Sequence, residues 1–503
     1  MYLINRRQFL LLSAGTAIAV LTQCSRNTTS APSIQSANAT ALTTSSNGLL
    51  ETALEARPGL IRLGQQQGNL LTYNGQIPGP RLEAKPGDTV KIHFTNKLSQ
   101  ATNLHYHGLH IPPTGNADNI FLSVSPGETQ TYEFTLPKNH PSGTFYYHPH
   151  LHELVAEQVF GGLGGIFVVR GELDDIPEIR AAREEFLFLK DFALDANGQI
   201  PAPGHIELMR GREGAILTVN GQVNPTFTIP SGGLLRFRIV NASTSRFYRL
   251  SLEDHPFYLI ATDGGSVAQP VEMRELLLSP GERAEVLVQG NRPPGQYRLL
   301  SLPYDRGGGM GMMGGGMMGG GMMGGGMMGG MGSSAPISNQ PDLIATLTYK
   351  DAIATPLPLP EKLIPVETLP QPIKTRRIEL SMLMGMGNGM GMQMAFLFNN
   401  KTFDMNRVDA AVKLGTIEDW ELVNVDPDGM EHSFHLHTNP FQVISRNGKP
   451  DPYQAWGDTL RIRANETVRI RIPFRDFTGK TVYHCHILDH EDLGMMGIVA
   501  VEA

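Results

Sequence analysis

The chain has 503 residues, 41 Lys and Arg against 48 Asp and Glu, a formal net charge of −7 and only 18% charged residues. That balance, with no basic run and no phosphate-cradling glycine loop, excludes nucleic acid as an expected partner, and the length suits two to four domains. With two cysteines, one of them in the leader, a disulfide framework is excluded as well.

Residues 1–47 read as a leader and tether. Asn5-Arg6-Arg7-Gln8-Phe9-Leu10 precedes an apolar run through Ala19, Val20 and Leu21. A basic start and a short apolar core mark an export signal, too short to span a bilayer. Paired arginines before Phe-Leu resemble a twin-arginine signal, which predicts a periplasmic or otherwise extracytoplasmic location. Cys24 is a candidate lipid anchor, although Gln23 before it is atypical. Ser, Thr, Asn and Ala then dominate, as in a flexible tether.

Residues 48–170 form the first expected domain. Thr89-Val90-Lys91-Ile92-His93-Phe94 alternates as a half-buried strand does. Short apolar runs closed by Asn74-Gly75, Pro86-Gly87, Pro126-Gly127 and, further on, Pro280-Gly281 predict sandwiches of short antiparallel strands. This domain holds two His-x-His pairs, His105/His107 and His148/His150, with Asp118 between them.

Residues 171–350 form a second domain, with strands over Leu234–Val240 and Ala284–Val288 and no ligand motif, so its expected role is spacing and support. Its segment 307–332 is a near-repeat of Met-Met-Gly-Gly-Gly, too rich in glycine to pack and expected to be a loop. Thioethers select Cu(I) over hard cations, so the repeat predicts capture of copper or silver. Residues 351–374, Pro-rich from Pro356 to Pro372, read as a semi-rigid linker. Residues 375–503 are the third domain, opening with a second methionine run from Met382 to Met394 and carrying the densest motif of the chain.

That motif is Tyr483-His484-Cys485-His486-Ile487-Leu488-Asp489-His490, followed by Met495 and Met496. Two His, a Cys thiolate and a weak axial Met are the ligands of a blue-copper site. Cys485, His490 and Met495 would supply three of them. If Lys480–Tyr483 is a strand, Cys485 points away from both His484 and His486, so one segment touches two metal sites. Upstream, His435 and His437 share one face of an extended segment, and His432, of opposite parity, is the fourth ligand expected for the Cys485 site. Eight His in four His-x-His pairs would then serve roughly three further open-coordinated coppers.

A lone histidine is usually a surface or satisfied core residue. His93, His110, His140, His152, His205 and His255 are read that way, whereas the other ten of the sixteen fall in four compact motifs. Zinc suits the set less well, because a trailing Met offers it nothing it prefers.

In their order along the chain these four segments resemble the copper-binding motifs of the multicopper oxidases, within that group the three-domain bacterial laccases and cuprous oxidases. The resemblance implies an all-β chain of three cupredoxin-like Greek-key β-sandwiches holding four copper ions. It places type 1 copper on His432, Cys485, His490 and Met495. It places type 2 copper on His105 and His435, and the type 3 pair on His107, His148, His150, His437, His484 and His486. Asp118 and Glu491 fall near acids that relay protons in the family. Asp428 and Met430 match the Asp and Met of a cuprous-oxidase substrate site and Met382 matches its Met, while Gly387 stands where a further Asp is expected. The implied activity is oxidation of Cu(I), coupled to reduction of O2 to water. The alternatives are a laccase acting on phenols or aryl amines and a copper-sequestering protein. The expected partners are O2 and the small reductant, with no membrane-spanning segment and a monomeric state.

Overall fold

The computed structural model describes residues 40–307, 339–386, 392–426 and 429–503. The arginine pair, Cys24, Met310 to Met331, Asp428, and the side chains of Met384, Met386, Met390 and Met392 lie outside the described residues and side chains. No helix among the described residues is long and apolar enough to cross a membrane.

The architecture is all-β: three cupredoxin-like sandwiches, with helices, among the described residues, of only four to six residues between strands. The first sandwich packs a sheet ordered Leu42–Thr44, Gly79–Ala84, Gly165–Val169, Gly143–His148, His105–His107 against one ordered Gln66–Tyr73, Leu49–Leu63, Thr89–Asn96, Thr129–Thr135. Leu50, Val90, Ile92, Phe94, Tyr106 and Phe167 fill the space between them. Residues alternate in and out of this core along Thr89–Asn96, as period-two patterning dictates.

The second sandwich pairs six strands, with Leu234–Asn241 and Arg283–Gln289 adjacent at the centre, against five. Leu234–Asn241 is buried at every position, because one of its faces meets its own core and the other meets the first sandwich through Val240, Tyr146, Ile166 and Phe188. In the third sandwich one sheet runs Ala410–Lys413, Met496–Glu502, Gly479–Cys485, His432–Leu436, Thr459–Ile462. It closes on the core of Trp420, Leu422, Phe434, Ile470 and Tyr483.

The sheets are not purely antiparallel. Leu49–Leu63 and Thr89–Asn96 run parallel, as do Arg183–Phe192 and Leu234–Asn241. Greek-key crossovers bring non-consecutive strands together in the same direction, which short turn pairs in the sequence do not reveal. The Pro-rich stretch after Ala352 has no regular structure and is fastened to the second sandwich by Leu357 N–H to Gly232 O and Leu363 N–H to Ala268 O.

Candidate metal centre

Within the first sandwich, strand His105–His107 lies beside Gly143–His148, with His105 opposite His148. Within the third, His432–Leu436 lies beside Gly479–Cys485, with His435 opposite His484 and Phe434 opposite Cys485. Cross-strand pairing therefore turns four motifs into two histidine edges. The edges meet face to face: His105 stacks on His437 at 3.9 Å between centroids, and His107 on His435 at 3.7 Å.

Potential ligand atoms converge in separate groups: His107, His148 and His486; His150, His437 and His484; and His105 with His435 beside His107. A further group, wholly within the third sandwich, is His432, Cys485 and His490. Residues 484, 485 and 486 thus enter three different groups. His490 reaches the Cys485 face because the chain turns through a short helix, Leu488–Asp492, directly after the strand. Met495 is fully buried in the same apolar cluster as Cys485, and its carbonyl accepts the Cys485 N–H.

The donor sets fit copper. Cys485 Sγ lies 3.7 Å from both His432 Nδ1 and His490 Nδ1. Ligands about 2.0 and 2.3 Å from one ion at roughly 120° would be about 3.7 Å apart. His148 and His484 donate from Nδ1 to the Pro149 and Cys485 carbonyls, so their Nε2 lone pairs are bare. His484 Nε2 faces the Nε2 atoms of His150 and His437, each at 3.1 Å. One proton cannot satisfy that cluster, whereas a cation can. The Nε2 atoms of His105 and His435 are buried without a hydrogen-bond partner.

Burial first, and repulsion from neighbouring imidazoles next, holds His105, His437, His484 and His486 far below the ordinary histidine value. Burial takes His148 and His150 to about 3. These rings are neutral, as metal ligands must be. His432 goes the other way. Burial pulls it down, but hydrogen bonds to Asp426 and Cys485 outweigh that and raise it to about 9.

Two carboxylates touch the histidine edges. Asp118 Oδ1 accepts from His105 Nδ1 at 2.8 Å and from the Tyr106 N–H, and its Oδ2, 3.9 Å from His437 Nδ1, has no hydrogen-bond partner. Glu491 is fully buried, with its oxygens 3.0 Å from His484 Nδ1 and 3.5 Å from His150 Nδ1. Burial pushes Asp118 up to about 8 and Glu491 up to about 7.

Several neighbours have no sequence motif. Asp426 receives His432 Nε2, and the Met209 carbonyl receives His490 Nε2. Phe396 stacks on His490 at 3.7 Å, and the Tyr146 hydroxyl lies 2.9 Å from His486 Nε2. Gly281, at φ +88°, sits in a turn where a Cβ would come within 2.9 Å of the His486 ring. Met382 and Met430 are buried in the apolar cluster that contains Cys485 and Met495. The six histidines outside the motifs stand outside the ligand groups found among the described residues. His93 bonds Glu51, His255 bonds Tyr349, and His110 bridges the Thr438 carbonyl and Asp476.

Three β-sandwiches with a buried Cys-His set joined through one strand to a histidine cluster define a copper protein built for electron transfer. Profiles described as multicopper oxidase match residues 58–174, 190–307 and 376–503. The chain belongs to the multicopper oxidase family, oxidoreductases that use copper and O2. It is similar to the solved multicopper oxidase of Campylobacter jejuni, described as a metallo-oxidase, with 32% identity, TM-score 0.79, and 94% of this chain and 96% of that one covered. It is 28% identical to the multicopper oxidase mco of Staphylococcus haemolyticus over 90% of this chain and 89% of the relative. It is also 30% identical to the cell division protein FtsP of Xenorhabdus nematophila, over 87% and 86%.

Proposed function

We propose that this chain is an exported oxidase that couples one-electron oxidation of Cu(I) to four-electron reduction of O2 to water. Four Cu(I) and four protons are consumed per O2, giving four Cu(II) and two waters. Four resident coppers are assigned: one to His432, Cys485, His490 and Met495, one to His105 and His435, and two to the groups His107/His148/His486 and His150/His437/His484. When bound, copper supplies the one-electron redox steps, which no side chain here can provide. The observation that carries the reading is that His484, Cys485 and His486, consecutive in one strand-end, enter three different ligand groups. A covalent path a few bonds long therefore joins the site that accepts electrons to the sites where O2 reacts.

Glu491 and Asp118 are placed to hold protons beside the histidine cluster, at His150/His484 and at His105/His437 respectively. Cu(I) is favoured as reductant by the methionine-rich segments and by Met382 and Met430, whose cluster also holds Cys485. Asp428 would add a carboxylate to that entry site. Leader residues 1–47 favour export and an extracytoplasmic location.

One observation favours an organic reductant instead. A cavity of about 390 Å³, lined by Ile206, Arg210, Glu213, Phe247, Tyr304 and Arg306, opens beside helix His205–Arg210. The Met209 carbonyl of that helix touches His490, a short electron path from a phenol to the Cys485 site.

Oxygen uptake by the copper-loaded protein separates these readings, with Cu(I) and a simple phenol as alternative reductants. Uptake with Cu(I) that falls on deletion of residues 308–332 supports the cuprous oxidase. Uptake with phenol alone makes the chain a laccase. A fully loaded protein that consumes oxygen with neither reductant removes the oxidase reading and leaves the copper-sequestering one.

A further inference from the structure

Among the described residues the second sandwich contributes none to the ligand groups, yet one of its side chains reaches the histidine edges. Arg283, at the start of strand Arg283–Gln289, is buried, and its guanidinium forms a double hydrogen bond to Asp458 of the third sandwich, Nη1 to Oδ1 at 2.6 Å and Nη2 to Oδ2 at 2.5 Å. The other three N–H groups are used as well. Nε donates to the Thr144 carbonyl of the first sandwich, Nη1 to Gly281 O and Nη2 to Asp263 O. All five donors of the fork are satisfied, so its position is fixed by all three sandwiches at once.

What Arg283 fixes is the carboxylate that sets two ligand rings. Asp458 Oδ1 lies 3.1 Å from His107 Nε2 and also accepts the Thr459 hydroxyl at 2.8 Å. The Asp458 backbone carbonyl lies 2.9 Å from His435 Nδ1. A carboxylate held by an arginine and a peptide carbonyl can only accept, so the proton of His107 sits on Nε2 and that of His435 on Nδ1. The two stacked rings are therefore held in opposite tautomers. His107 presents Nδ1 toward His148 Nε2, and His435 presents a bare, unpartnered Nε2. Space around the pair is closed. Gly108, at φ +86°, follows His107, and a Cβ there would lie within 2.5 Å of both the Arg283 guanidinium and the Asp458 carboxylate.

We propose that Arg283 is a positioning residue for the metal centre: through Asp458 it sets the tautomer and orientation of His107 and His435, and so the affinity of the His105/His435 site. This rests on the assignment of copper to those histidines, and it gives the second sandwich a part in the chemistry beyond spacing.

The test compares wild type, Arg283→Gln, Asp458→Asn and the double variant, each titrated with copper. The readouts are copper per chain, the type 2 electron paramagnetic resonance signal, the blue thiolate absorption and thermal unfolding. Arg236→Gln is the control, since Arg236 bonds Glu285 and Asp174 in a buried network that contacts no ligand histidine. Loss of an outer partner costs about 10–100-fold in metal affinity. Arg283→Gln and Asp458→Asn are each expected to weaken the type 2 site by that factor while the Cys485 absorption stays. The double variant should be little worse than either, because one route is broken twice. Arg236→Gln should lower the unfolding temperature alone. A folded Arg283→Gln protein with wild-type type 2 affinity and an unchanged resonance signal, beside a fully loaded wild type, overturns this proposal alone. So does loss of affinity in Arg236→Gln equal to that in Arg283→Gln, which would make Arg283 mere interdomain glue. If Arg283→Gln yields no folded protein, Asp458→Asn and Arg283→Lys decide by the same readouts. A wild type that takes up no copper at these histidines overturns the functional reading together with this one.

Discussion

Cys485 is fully buried, a free thiol, and within 3.7 Å of two imidazoles, so on the proposed function its sulfur is the atom through which electrons enter. Replacing it with Ser removes the only soft anionic donor of that site. The expected outcome is loss of the blue absorption and of oxygen uptake, with copper still bound by the eight histidines of the two edges. Retention of the blue band in Cys485→Ser would disprove the assignment. Glu491 lies against two histidines with no other polar partner, so Glu491→Gln keeps its shape while removing an exchangeable proton. Oxygen uptake should fall by about 10²-fold with copper content unchanged. Equal turnover in the two proteins would reduce Glu491 to a positioning role. The histidines and Cys485 were legible in the sequence because they come in pairs two residues apart, a spacing that strand geometry turns into a shared face. Asp458 and Arg283 were not. Their contacts with each other and with His107 span 175 and 351 residues, so no local pattern marks them.

Strand parity accounts for Cys485 facing away from His484 and His486, but it neither divides those two between their groups nor by itself returns His490 to the cysteine face. The five-residue helix Leu488–Asp492 does that, and it is too short to leave a periodic trace in the sequence. Its anchoring comes from outside the third sandwich. Asp489, 1% exposed at its side chain, accepts from the Arg212 N–H, Nε and Nη2, while Asp492 accepts the N–H groups of Val155 and Ala156 at the start of another short helix. Arg212→Ala would leave the Asp489 charge buried with a single backbone donor from that partner. Breaking such a pair costs about 3–5 kcal/mol. Urea unfolding should show a loss in that range, accompanied by a shifted blue absorption as His490 moves. A loss under about 1 kcal/mol would mean the helix is held by its packing against Val155, Ala156 and Val159 instead.

At the scale of the whole chain, the two kinds of site differ in what they join. His432, Cys485 and His490 belong to one sandwich, so a metal there stiffens a unit that already has its own core. The histidine groups combine residues 105–150 with residues 435–486, so a metal there cross-links the first sandwich to the third. Without it, neutral imidazoles with opposed lone pairs face one another across the contact, which favours separation. A ligand bound only by the folded state stabilises it by about 4 kcal/mol when its free concentration is about 1,000 times its dissociation constant. Calorimetry of the copper-loaded protein should therefore show a single high transition. Removal of copper by a chelator should lower that transition and resolve the first sandwich from the third. The Cys485→Ser protein, which keeps the interfacial metals, should retain one transition near that of the loaded wild type. If the chelated protein instead unfolds in one step at the loaded temperature, the sandwiches are held together by their buried ion pairs, such as Arg283 with Asp458 and Arg212 with Asp489, and the metals contribute chemistry alone.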